Sequence, residues 1–410
     1  MFPFSSSPSE SPCPSQSGES FSEAFLNSSS ARDSLPDQYR AHFDELRSGI
    51  LAFCHEFEIP VETLRSKENF GKQLASKRIP PKRMAEAVSL FARLEHLVTN
   101  KEPLGEEKEA IEYADRLYNL TEQYTAQVEL LERVGILKEG TITGIDGKKY
   151  PIPTLEQIAS HLLKREKELF IKREQGFTKL LLVPFGMSLG ALRETFRQFL
   201  FSYKQAKIDS HLDISVDYLL SDGGDSPKLV YNPQSFSKDH QGQTKLHILE
   251  EQTGKGDSAT LGWKVHLLQP SDPTDLHSPG FASIPREEQG YTHGKETPRP
   301  SLEAGKSPND YLSILQEAQD NPKSPYHGES GLTPEDWILA FMTHLEETGE
   351  PLDDAGNHVS SVSHLIGAFF PSSIDVPHAC WDRDNRKVFM SGDLPDSRNE
   401  LFGIRTSVIV

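Results

Sequence analysis

The stretch Gly331-Leu332-Thr333-Pro334-Glu335-Asp336-Trp337 constrains the chain most, because it marks where a helix must begin. Thr333 can cap the free backbone N–H groups, Pro334 suits the first helical position, and Glu335 and Asp336 complement the positive end of the helix dipole. Trp337, Ile338, Phe341, Met342 and Leu345 then recur at the spacing of one helical face, and Gly349 followed by Pro351 ends the element. That face is expected to be core.

Downstream the hydrophobic period shortens. Residues 365–371 read as a buried strand or tight connection ended by Pro371, and residues 377–381 and 387–390 as two strands joined through a polar turn at 382–385. Residues 403–410 read as a final strand, with Ile404, Thr406, Val408 and Val410 on one face and Arg405, Ser407 and Ile409 on the other.

Three pieces of this region, Thr333-Pro334-Glu335-Asp336-Trp337, Trp381-Asp382-Arg383 and Gly403-Ile404-Arg405, carry a resemblance. They look like motifs of the C-type-lectin-like domain shared by formylglycine-generating-type proteins and the variable proteins of diversity-generating retroelements. The whole chain also resembles a group of bacterial proteins, without an established activity, that end in a similar W-D-R to G-x-R-x-x-V segment. In the variable proteins, ligand-facing sites hold Asn, Asp, His, Ser, Gly and Cys. The resemblance therefore implies a ligand-recognition surface at His378, Cys380, Asp382, Asp384, Asn385, Ser391, Asp393, Asp396, Ser397 and Asn399, facing a protein or a glycan. The chemistry of the formylglycine-generating branch resembles a paired-cysteine site, and this region has only Cys380.

An enzymatic alternative rests on the residues alone. On an extended strand His378, Cys380 and Asp382 point to one side, where imidazole, thiolate and carboxylate could bind Zn²⁺ with His358 or His364 completing the shell, or serve a cysteine-dependent hydrolase. No second spaced His/Cys pair fixes that geometry, so neither a metal nor another cofactor is assigned. The preferred reading is a non-catalytic binding protein.

Composition bounds the partners. With 61 acidic against 43 basic residues, the net charge of −18 disfavours nucleic acid and anionic membranes as general partners. Cys13, Cys54 and Cys380 form no C-x-x-C pair or disulfide framework, and neither a signal peptide nor a membrane-spanning run is visible, which suggests a cytoplasmic setting.

The expected class is α+β, with a helical region, a mixed α/β middle and a small-sheet C-terminal domain. Residues 1–34 are Ser/Pro-rich and expected to be disordered. Residues 35–138 carry three amphipathic helices, a scaffold or a homo-oligomer surface, with Tyr39, Phe43, Leu46, Ile50, Phe53 and Phe57 at helical spacing in the first and a third helix over 105–134. Residues 139–269 open with a hairpin around Asp146-Gly147 and a capping box at Thr154 that starts a helix reaching Glu174. A strand over 177–183 and a helix over 188–204 follow. A further strand over 212–218 is expected to pair with 228–231 across the Asp222–Asp225 turn, and another strand covers 262–269. No phosphate-binding glycine motif is present. The composition of residues 270–306 favours a linker, and 307–410 form the candidate ligand-binding domain, opened by a short helix after Ser307.

Overall fold

The computed structural model describes the chain outside residues 1–27, 66–69, 71, 75–76, 78, 207–212, 217–228, 238–241, 255–259, 356–361 and 386. The expected disordered tail (but for residues 28–34), the Asp222–Asp225 turn and His358 lie outside the described residues. The chain is α+β and divides into two units, Met1–Lys108 and Glu109–Val410.

The first unit contains α1 (Ser28–Asp33), α2 (Asp37–Glu56), a 3-10 turn at Val61–Arg65 and α3 (Pro81–Asn100). The helical spacing of the sequence becomes its core: Phe43, Leu46, Ile50 and Phe53 of α2 bury in one cluster with Leu94 and Leu97 of α3. His42, buried in α2, lies 3.3 Å from the Glu107 carboxylate, which also meets Arg93.

The division falls inside α4 (Glu106–Tyr118), which is followed by α5 (Leu120–Arg133). The single helix expected over 105–134 breaks at Asn119, a left-handed residue with φ 50° of the kind Asn tolerates. β1 (Thr141–Thr143) and β2 (Lys149–Pro151) form the expected hairpin, with Gly147 at φ 77° in its turn. Thr154 and Gln157 close their capping box on α6 (Leu155–Lys164), and the chain breaks at Arg165 before α7 (Glu166–Glu174).

Two sheets organise the rest. The first is antiparallel, in the order β3 (Lys179–Val183), β6 (Lys264–Leu268), β15 (Thr406–Ile409), β9 (Glu329–Gly331). β3 is an edge strand, yet every residue in it is buried, so its outward backbone groups need partners. Gln127 of α5 supplies them, donating to the Leu180 carbonyl at 2.7 Å and accepting from the Leu182 N–H at 2.8 Å, while Gln123 accepts from the Leu180 N–H at 2.7 Å. The 18-residue helix α8 (Leu189–Ala206) follows β3.

The second sheet is mixed, with order β14 (Phe402–Ile404), β10 (Val362–His364), β12 (Val376–Asp382), β13 (Lys387–Asp393), β4 (Asp213–Val216). β4 runs parallel to β13 and not against residues 228–231. Val230–Tyr231, β5, pairs instead with Ala368–Phe369, β11, so the pairing expected from proximity in sequence is corrected. α9 (Lys245–Gly254) lies between β5 and β6 in the chain. Residues 270–306, whose composition favoured a linker, belong to the second unit: they carry the small pair β7 (Thr292–His293) and β8 (Arg299–Pro300) and bury Phe281, Ile284, Arg299 and Leu302.

α10 (Pro308–Gln319) and α11 (Pro334–Thr348) begin at capping boxes on Ser307 and Thr333. α11 is buried on nearly all sides from Pro334 to Thr343, more than its single apolar stripe implies. Its first-turn acids are consequently internal: Glu335 lies 2.8 Å from Lys245 and accepts from the Tyr231 hydroxyl at 2.7 Å. The terminal strand is also two strands. The chain leaves the second sheet after Ile404 and enters the first at Thr406, with Arg405 at the crossing held by Asp353 at 2.6 Å and by the Ala282 carbonyl. The single strand with one-face alternation expected for 403–410 is interrupted at Arg405, and both faces are buried from Gly403 to Val408, with Ile409 exposed.

Candidate functional site

The β12–β13 hairpin holds most of the residues singled out from the sequence. Its register, from Val376 opposite Asp393 to Asp382 opposite Lys387, sets His378 across from Ser391 and Cys380 across from Phe389. Because side chains alternate, these four occupy one face, while Ala379, Trp381, Val388 and Met390 bury on the other.

This face is not the open platform the sequence suggested. His378, Cys380 and Ser391 are buried within the two strands. The Phe402 ring lies 5.1 Å and the Phe389 ring 5.9 Å from the His378 imidazole, and the His364 ring is edge-on at 6.3 Å. These three residues are therefore withdrawn from the expected solvent-facing set. Burial, then the acids Asp353, Asp382 and Asp354, pushes the Cys380 thiol up to about 12, so it is not poised as a thiolate nucleophile. Among the described residues, no three His, Cys, Asp or Glu side chains gather as metal ligands.

The remaining seven residues separate into two places. Asp382, Asp384 and Asn385 are at the turn, whereas Asp393, Asp396, Ser397 and Asn399 lie at and beyond the far end of β13. Seven-residue strands set these ends roughly 20 Å apart. At the far end the side chains are engaged with their own scaffold: Asp393 accepts from the Leu394 N–H, Asp396 from Asn309, and Asn399 from the Leu401 N–H, all at 2.8–2.9 Å.

The turn is held differently. Asp382 accepts from the Asn385 backbone at 3.0 Å and from its side-chain amide at 2.7 Å, which together keep the Asp382 carboxyl below its ordinary range. Arg383 reaches back to Asp354, a buried acid, with its Nε donating at 2.8 Å. Asp384 is exposed, and its carboxylate has no side-chain partner among the described residues. Arg383 and Asp354 were absent from the sequence-based set. The W-D-R run and the adjacent Asp353-Asp354 pair were the visible signals, but nothing in the spacing shows that they meet.

A second constellation was not legible at all. Ser407, His266 and Asp336 come from three separate elements, with Ser407 Oγ 2.9 Å from His266 Nδ1 and Asp336 Oδ1 3.3 Å from His266 Nε2. The residue types match a hydrolytic triad, but Ser407 is 0 % exposed and faces no substrate. Asp336 also accepts from the Thr333 N–H, so the group ties the α11 cap to the first sheet.

No protein family, curated protein or solved structure matches the chain. Among the described residues, no helix is long and apolar enough to cross a membrane.

Proposed function

We propose that this is a binding protein whose recognition surface is the turn end of the C-terminal hairpin, Asp382 to Asn385, and whose ligand is a protein or a glycan. One observation carries the reading. The turn is ordered by its own side chains, Asp382 with Asn385 and Arg383 with Asp354, while Asp384 is exposed and has no side-chain partner among the described residues. Loops held on a rigid sheet bind with little ordering entropy, because their geometry is set before the ligand arrives. The strands behind the turn are anchored by Trp381, Val388 and Met390.

The diversified form of this reading asks the variable residue types to share one accessible face. Burial of His378, Cys380 and Ser391 and the length of the hairpin divide them, so the proposed surface is the turn. A cysteine-dependent or metal-dependent hydrolase draws no support from Cys380, whose thiol is both buried and hard to ionise.

The test is a parallel glycan-array and peptide-array screen of the full chain and of its Asp384→Ala variant. The expected outcome is at least one ligand retained by the parent and weakened about ten-fold or more in the variant, with an unchanged melting temperature. An empty screen, or ligands held equally by both proteins, would overturn the proposal.

A further inference from the structure

Where Arg405 carries the chain from the second sheet to the first, a cavity of about 40 Å³ lies between that crossing, residues 282–285 and β8. Ile284, Leu302 and Ile404 give it apolar walls, and Tyr291, Arg299 and Arg405 line it with polar groups. Arg299 is only 3 % exposed. Its Nε and Nη2 donate to Glu329, and Nη2 also to Thr406, whereas its Nη1 makes no hydrogen bond among the described residues. The backbone of Tyr291 pairs with Ser301, but its hydroxyl likewise makes no hydrogen bond among the described residues.

The ion pairing behind the cavity is uneven. Lys172 and Arg299 share the Glu329 carboxylate at 2.7 Å each, and Arg405 has Asp353 at 2.6 Å, so three buried cations meet two buried carboxylates. In a low-dielectric interior such an excess of one sign costs stability, and an anion within reach offsets it. Burial raises the pKa of the Tyr291 hydroxyl against the smaller opposing pull of Arg299 and Arg405, which keeps it a neutral donor at physiological pH.

From these donors, walls and charges together we infer that the cavity binds a short-chain monocarboxylate, at a site separate from the recognition turn. One carboxylate oxygen accepts from Arg299 Nη1 and the other from the Tyr291 hydroxyl, while the alkyl end lies against Ile284 and Leu302. The volume is several times the ~10–15 Å³ that one water needs and well below the ~300 Å³ at which drug-sized sites begin. A single excess positive charge matches a monoanion. Sulfate or phosphate brings more charge and no alkyl group for the apolar walls.

Calorimetric titration of the full chain with sodium propionate, at neutral pH and a constant ionic strength of about 0.15 M, tests this, because that salt screens diffuse surface attraction. Saturable one-to-one binding is expected. It should weaken about ten-fold in Tyr291→Phe, which removes one of the two donors and no existing hydrogen bond among the described residues. It should remain unchanged in Tyr326→Phe, which removes a hydroxyl from a ring that packs on Arg299 without lining the cavity. The inference is overturned by the absence of saturable binding, by equal affinity of the parent and Tyr291→Phe, by an equal loss in both variants, or by sulfate displacing propionate with the higher affinity. Melting curves of each variant separate lost binding from lost folding.

Discussion

His364 shows what a single side chain can impose on this fold. Its imidazole is 0 % exposed, both ring nitrogens lack hydrogen-bond partners among the described residues, and its neighbours are Phe402 at 5.0 Å and the His378 ring. Burial first, then His378, lowers its pKa to about 3, against a smaller opposing pull from Asp393. The folded state therefore requires the neutral ring. Its contribution is fully present above the unfolded pKa of about 6.5 and is lost as pH falls from there towards 3, at about 1.4 kcal/mol per pH unit. His344 follows the same course, lowered to about 3 by burial and then by Arg405 and Lys179. Urea midpoints at pH 7.5 and 5.0 should show His364→Phe losing about 2 kcal/mol less on acidification than the parent. An identical pH dependence in both proteins would show that His364 is hydrated and not sealed in the sheet.

At the scale of elements, caps and periodicity were readable where the decisive groups lie close in sequence. Thr154, Ser307 and Thr333 each make the cap their neighbours indicate, because the partner sits three residues away. The β12 and β13 strands were likewise visible as apolar runs flanking polar residues 382–385. The breaks at Asn119 and Arg165 were not, since helical apolar spacing continues across both. Nor was the exposure of the candidate site: the polarity of His378, Cys380 and Ser391 suggested solvent, whereas register and neighbouring rings determine burial. The α11 cap makes the readable part testable. Thr333→Ala should cost about 1–2 kcal/mol, because the cap is buried and its loss disturbs Asp336 as well, while Thr333→Ser should restore most of it. Equal thermal stability of all three proteins would contradict the capping account.

For the whole molecule, long-range charge placement was the least legible property and is among the most consequential. Glu329 is 1 % exposed and accepts from Lys172 at 2.7 Å, from both forks of Arg299 at 2.7–2.8 Å, and from Thr406 at 2.7 Å. These partners lie in α7, β8 and β15, with the carboxylate itself in β9, so one residue joins four separated stretches of chain. Glu329→Gln would strand two buried cations and should cost about 3–5 kcal/mol in urea unfolding. Glu194→Gln, which removes an exposed partner of Arg197, should leave the midpoint unchanged. A small effect at Glu329 would mean that water reaches the network. The same internal bracing supports the proposed recognition at the hairpin turn, since Arg383 and Asp354 join that turn to the body of the second unit. Hydrogen exchange of the full chain, free and saturated with a ligand recovered from the arrays, tests that central claim most directly. The account predicts slow exchange through β12 and β13 in both states and new protection confined to peptides covering Asp382–Asn385. Protection appearing elsewhere while the turn exchanges unchanged would contradict it.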